Sequence, residues 1–185
     1  MNARNMYIPR ITKYTNLDNT DWSTHYITAL TIPLDTKTRE FKFKFLHDVL
    51  VNNFWLRKWS LEENNLCTFC NLMREDILHL FWHCEYVQTF WHDFEEIYGR
   101  IIPENTGLTI SLVICSSRNP LLCTLILLAK RYIYECRYKN KKPNVRVYKH
   151  KVTYMRNTEL EIAKKNNTVL KYLEKWQLLL NNDDG

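Results

Sequence analysis

Glycine occurs three times and proline five times in 185 residues. A many-stranded sandwich or barrel needs far more turn punctuation, so long helices become the default and the expected fold class is mainly α. Long apolar runs are also missing. The densest, residues 121–129, falls well short of the roughly 18 residues that span a bilayer, so no membrane partner is expected. The N-terminus, MNARNMYIPRITKYT, has no apolar core of the kind a secretory signal carries, which points to the nucleus or cytoplasm. Thiols stay reduced there, so the six cysteines imply metal binding or burial rather than disulfides.

What the chain does have is apolar and aromatic mass. At 45% hydrophobic and 14% aromatic it can bury a real core, which excludes wholesale disorder. The net charge of +6 is unevenly spread. Residues 118–156 hold eleven Lys/Arg against one acid, Glu135, a net +10, which leaves −4 for the rest. A segregated basic stretch suits attraction to a phosphate backbone, although a plain solvated face has the same composition.

Three regions are expected: a connector at 1–34, a Cys/His-bearing knuckle with flanking helices at 35–99, and a basic helical tail at 100–185. The connector has a possible short helix from Asp21 or Ser23 to Leu30. Asp35-Thr36 suits a helix start running to about Leu50, with Phe41, Phe45 and Val49 on one face. Phe41-Lys42-Phe43-Lys44-Phe45 also alternates as a strand would, but the apolar pattern continues without alternating, so helix is preferred. A short helix is expected at 54–59. Tyr86, Val87, Phe90, Trp91, Phe94, Ile97 and Tyr98 fall at helical spacing, with Gly99 where a C-cap glycine belongs. Residues 108–115 suit a strand or a buried connector. Asn119-Pro120 opens a helix to about Tyr138, buried in its first half and basic in its second. From Asn144 to about Asn181 two helices are expected, broken near Asn166-Asn167-Thr168, with Ile162, Val169, Leu173, Trp176 and Leu180 as one apolar stripe.

LCTFCNLMREDILHLFWHC places Cys67, Cys70, His79 and Cys84 as C-x2-C-x8-H-x4-C. Tetrahedral Zn2+ takes four thiolate or imidazole ligands, and a C-x2-C turn lets two thiolates reach one ion. A short helix at 75–82 is expected to carry His79. Were it to continue, Cys84 would point about 140° away from His79, so this ligand set requires a helix stop near His83. A rival set replaces Cys84 with His83, at i, i+4 from His79; the Cys84 set is preferred. Four protein ligands leave no open position for an activated water, so the ion's expected role is structural and a small CCHC knuckle would depend on it to fold. Cys115, Cys123 and Cys136 lie in apolar stretches without metal spacing and are expected to be buried.

The runs FKFKFLHDVLVNNFWLRKW, LCTFC and ILHLFWHCEYVQTFWHDFEEI, followed by LLCTLILLAKRYIYECRYKNKKPN, resemble the zinc-binding region that follows the polymerase in non-LTR (LINE-type) retrotransposon reverse transcriptase polyproteins. The resemblance covers residues 35–144. It implies that Cys67, Cys70, His79 and Cys84 hold zinc and that the region grips RNA template or target DNA beside the upstream polymerase. No aromatic-x-Asp-Asp polymerase motif and no endonuclease constellation is visible, so no catalytic residue is assigned and a truncated piece of such a polyprotein is expected.

The first expected function is therefore a non-catalytic nucleic-acid-binding module. Its candidate phosphate contacts are Lys130, Arg131, Arg137, Lys139, Lys141, Lys142 and Arg146, with Tyr134, Tyr138 or Tyr148 available to stack on bases. The second is a structural module whose knuckle and apolar stripe dock on the polymerase or another protein. Scattered histidines (His25, His47, His92, His150) without a nucleophile and an orienting carboxylate argue against an enzyme.

Overall fold

A computed structural model of the chain describes residues 35–103, 107–115 and 119–180; the connector expected at 1–34, with its short helix, lies outside the described residues. Within them lie seven α-helices: α1 (Thr36–Leu46), α2 (Asn53–Lys58), α3 (Glu85–Tyr98), α4 (Ile110–Cys115), α5 (Pro120–Tyr138), α6 (Val145–Lys165) and α7 (Val169–Leu180). No strand occurs among the described residues, only an isolated bridge between Leu66 and Arg74. The mainly helical class is as expected.

Local chemistry starts most of these helices. Asp35, Asn52, Asn119 and Asn144 each accept backbone N–H bonds from the first turn that follows, satisfying donors that have no partner inside the helix. In α1 helical spacing overrides the two-residue alternation: Phe41 and Phe45 are buried together while Phe43 points outward. The helix stops at Leu46, short of the expected Leu50, and Asp48 then takes a left-handed φ of 53°. Val49, expected on the buried face, is exposed as a result.

The helix α5 is the hub. Leu121, Leu122, Leu125, Ile126, Ala129 and Ile133 are buried, and it packs against α1, α6 and α7. Tyr148 of α6 is fully buried and donates its hydroxyl to the Leu125 carbonyl at 2.6 Å, because a phenol deep in a core needs an acceptor. Its ring meets those of Phe90, Phe94 and Tyr98 from α3 and Tyr132 from α5, so one continuous core crosses residue 99.

Four local expectations are corrected. Gly99 is not a left-handed cap; it is right-handed (φ −55°) and leads into a single 3-10 turn, Gly99–Ile101. Residues 108–115 form neither strand nor connector, since α4 is helical and buries Val113 and Ile114. Ile97 is exposed rather than part of the α3 apolar face. The stripe along α6 and α7 divides: Trp176 is fully buried beside Tyr172, whereas Ile162 and Leu173 are exposed and Val169 and Leu180 half-buried. The cause is a polar clasp. Glu159 of α6 accepts from Trp176 Nε1 at 2.6 Å and Lys175 Nζ at 2.7 Å, which turns the Trp176 side of α7 inward.

Candidate metal centre

The C-x2-C segment folds back on itself over a few residues. Cys67 N–H donates to the Met73 carbonyl at 2.7 Å, Asn71 N–H donates to the Cys67 carbonyl at 2.9 Å, and Glu75 N–H donates to the Asn65 carbonyl at 2.7 Å. Asn71 closes the turn at φ 54°, a left-handed conformation that asparagine tolerates better than most residues. The effect is to aim the sulfurs of Cys67 and Cys70 toward the same point.

The other two donors come from one unusual turn. Helix begins at residue 77, later than the expected 75, and widens into a π-helical turn, His79–His83, closed by a bond from Cys84 N–H to the His79 carbonyl at 2.9 Å. Cys84 itself is extended (ψ 130°). A π turn holds an extra residue, so Cys84 swings back toward His79 instead of pointing away as in a continued α-helix. Asp76 accepts from His79 N–H at 2.9 Å at the start of the turn, and Trp91 Nε1 donates to the Phe81 carbonyl at 2.8 Å, tying the turn to α3.

Together these elements bring Cys67, Cys70, His79 and Cys84 into one group whose ligand atoms all lie within 4.8 Å of one another. The Cys67 and Cys84 sulfurs are 3.8 Å apart, and Cys70 Sγ is 3.4 Å from His79 Nε2. A tetrahedral ion with Zn–S of about 2.3 Å and Zn–N of about 2.0 Å requires edges of about 3.8 Å and 3.5 Å. The donors fit zinc, and Cys67, Cys70 and Cys84 are free thiols, since a bond between sulfurs is about 2.05 Å. His83, the rival ligand, is exposed and stands outside the group.

Burial and hydrogen bonding act differently on the donors of this group. Burial holds the His79 pKa below the ordinary histidine value, favouring the neutral imidazole that binds metal. Cys67 donates its S–H to Cys84; that bond, with burial, pushes the Cys67 thiol up, and the same bond holds Cys84 down. Phe69 N–H also points at the Cys67 sulfur, at 3.4 Å.

Sequence reasoning missed the residue that ties this knuckle to the rest of the molecule. Glu75 is fully buried. One carboxylate oxygen accepts from Thr68 N–H, inside the C-x2-C turn, at 2.8 Å. The other accepts from Asn53 N–H at 2.8 Å and from Arg137 Nε at 2.6 Å. Arg137 in turn donates to the Asn53 side chain, which donates to the Leu66 carbonyl. One carboxylate thus joins the knuckle, α2 and α5, and nothing in local spacing announces a contact across 62 positions.

The seven basic candidates do not form one surface. Lys130 is 3% exposed; its ammonium donates to the Val113 carbonyl at 2.7 Å and lies 4.1 Å from the Phe45 ring centre. Arg137 is buried against Glu75, and Arg131 pairs with Asp35 at 2.7 Å and with Glu135 at 3.2 Å. The expectation that Lys130 and Arg137 meet phosphates is corrected, because α5 is the core helix and turns them inward. Lys139, Lys141, Lys142 and Arg146 are exposed around the turn between α5 and α6, with Lys142 Nζ 3.5 Å from the Tyr86 ring centre. Among the tyrosines, Tyr148 is buried, Tyr134 donates to the Val51 carbonyl, and Tyr138 is exposed. Cys123 and Cys136 are buried as expected; the side chain of Cys115 lies outside the described set.

No helix among the described residues is long and apolar enough to cross a membrane. No curated protein and no solved structure matches the chain. Residues 5–91 match the family model for zinc-binding in reverse transcriptase, a span that takes in Cys67, Cys70, His79 and Cys84 and supports reading this part of the chain as a reverse transcriptase zinc-binding region.

Proposed function

We propose that the chain is a non-catalytic, zinc-organised module that grips nucleic acid beside a reverse transcriptase of the non-LTR type. The observation that carries the reading is the Cys3His group at tetrahedral spacing inside the segment matched by the reverse transcriptase zinc-binding family. Cys67, Cys70, His79 and Cys84 would hold the ion, which supplies a structural cross-link and no open coordination position for chemistry. Its consequence is mechanical: the C-x2-C turn, the π turn and the start of α3 are clamped at one point, and Glu75 passes that rigidity to α2 and α5. Phosphate binding is assigned to Lys139, Lys141, Lys142 and Arg146, the exposed subset of the basic stretch, on RNA or DNA.

The test is the metal content of purified protein, followed by titration of RNA and DNA at increasing salt. One zinc per chain is expected, with affinity falling steeply between low and physiological salt. Metal-free folded protein, or binding indifferent to salt, overturns the reading. A second reading, docking on the polymerase or another protein, is favoured by one observation: Ile162, Leu170, Leu173 and Leu178 stay exposed on α6 and α7.

A further inference from the structure

The basic turn between α5 and α6 is not the only exposed surface suited to a polyanion. The short helix α2 and the residue that caps it carry a row of rings. Phe54 and Trp55 are half-buried, and Trp59 is 52% exposed. Phe54 meets Trp55 edge-on at 5.3 Å, and Trp55 stacks on Trp59 at 5.9 Å with 27° between planes. Two cations lie over these rings and a third is exposed nearby in sequence. The Arg74 guanidinium lies 3.9 Å from the Phe54 ring centre, Lys58 Nζ lies 5.0 Å from that of Trp55, and Arg57 is exposed in the same last turn. Glu62 and Glu63 are the exposed acids that follow, beyond the left-handed turn at Ser60.

A single exposed tryptophan needs no explanation. Rings locked into a row with cations against them are a different object: flat π faces take nucleobases, and the cations take the phosphates that run past them. The core of a protein interface, in contrast, is depleted of lysine, which stands here as Lys58 against Trp55. The row is also held in place from beneath. Asn52 caps α2 by accepting from Trp55 N–H, Phe54 N–H donates to the Glu75 carbonyl, and Asn53 N–H donates to the Glu75 carboxylate, so the rings are fastened to the metal-binding knuckle. Such pre-ordering lowers the entropy lost on binding.

We propose that Trp55 and Trp59, with Arg57, Lys58 and Arg74, form a stacking site for single-stranded nucleic acid, with a base on the outer face of Trp59. The inference rests on the reading of the chain as a nucleic-acid-binding module and names the part of the strand it takes: unpaired bases, not only phosphates. Duplex, whose bases are already stacked, offers this site nothing.

The experiment uses the zinc-loaded full chain and labelled oligonucleotides of about 12 nucleotides, a length within the usual span of aromatic-lined single-strand sites. Single-stranded RNA, single-stranded DNA and duplex DNA are titrated into wild type, Trp59→Ala and Trp59→Phe, with tryptophan fluorescence followed alongside affinity. Trp59→Ala is expected to weaken single-strand binding about 5- to 100-fold and to remove the fluorescence quenching, leaving the duplex affinity and the salt dependence unchanged. Trp59→Phe, which keeps a π face, should recover most of the loss. The RNA and DNA arms distinguish which strand the site prefers. If wild type binds single strands and Trp59→Ala binds and quenches equally, the stacking site is overturned and the face belongs to a protein partner. If wild type binds none of the oligonucleotides at low salt, the parent reading falls, and this one with it.

Discussion

The knuckle and the helices α5 to α7 are held together by opposite means. Along residues 60–76 almost every side chain is exposed or half-exposed; Cys67, Phe69 and Glu75 are the buried exceptions. What the segment does hold is one group of four candidate ligand atoms and the hydrogen bonds of one buried carboxylate. In α5 to α7 order comes from packed Leu, Ile, Tyr and Trp, with Glu159 as a local clasp. A short segment that cannot bury enough apolar surface needs a directional cross-link, whereas a long amphipathic helix gains its stability from area. Glu75 and Arg137 join the two regions, so the contrast can be tested by cutting each device in turn.

Removing the metal should have the largest effect. Chelation, or Cys84→Ser, is expected to abolish protection from hydrogen exchange over residues 66–84, since zinc binding contributes about 10–16 kcal/mol in small finger peptides. Helical circular dichroism from α5 to α7 should largely persist. A global collapse of that signal would break the comparison, showing that the knuckle is not a separate source of order.

Next comes the joint. Glu75→Ala leaves the Arg137 guanidinium buried without its carboxylate, a change that costs about 3–5 kcal/mol in comparable buried pairs. Urea unfolding should register the loss. Zinc affinity should fall too, because Thr68 N–H loses its acceptor inside the C-x2-C turn. Trp176→Phe acts on the other region alone. It deletes the bond to Glu159, costing about 1.5–3 kcal/mol as for bonds to charged groups, and should leave zinc affinity untouched.

Acid sharpens the distinction further. The His79 pKa is depressed by burial, so the unfolded chain binds the extra proton more readily. This contribution to knuckle stability is fully present above the unfolded histidine value of about 6.5 and is lost as pH falls below it, toward the folded value. Zinc release on acidification, monitored by a metallochromic dye, should precede unfolding of α5 to α7. The smallest effect on stability is expected from Lys139, Lys141, Lys142 and Arg146 all changed to Ala: within about 0.5 kcal/mol per site, yet with the salt slope of nucleic-acid binding lowered by about 3 to 4.

Much of this was legible because it is local. Asp35, Asn119 and Pro120 mark helix starts through bonds or ring geometry within a few residues. The C-x2-C turn likewise depends on neighbours only, and the four donors gathered in space are those whose spacing singles them out. The basic stretch was misleading for the opposite reason. Composition counts Lys130 and Arg137 with Lys139 and Lys141, but the sides of α5 that carry the first two face Phe45 and Glu75. The row of rings on α2 was equally silent, since FWLRKW looks like any amphipathic turn until Arg74 arrives over Phe54.

By itself, then, the order of residues determined helical class, helix starts and two rival sets of candidate metal donors, because caps, periodicity and chelate spacing act over a few positions. Only the folded chain decided that Cys84 rather than His83 turns toward the centre, through the widened π turn, and which cations point inward. Those outcomes depend on what packs against a helix, and on a carboxylate and a guanidinium that meet in space though far apart along the backbone.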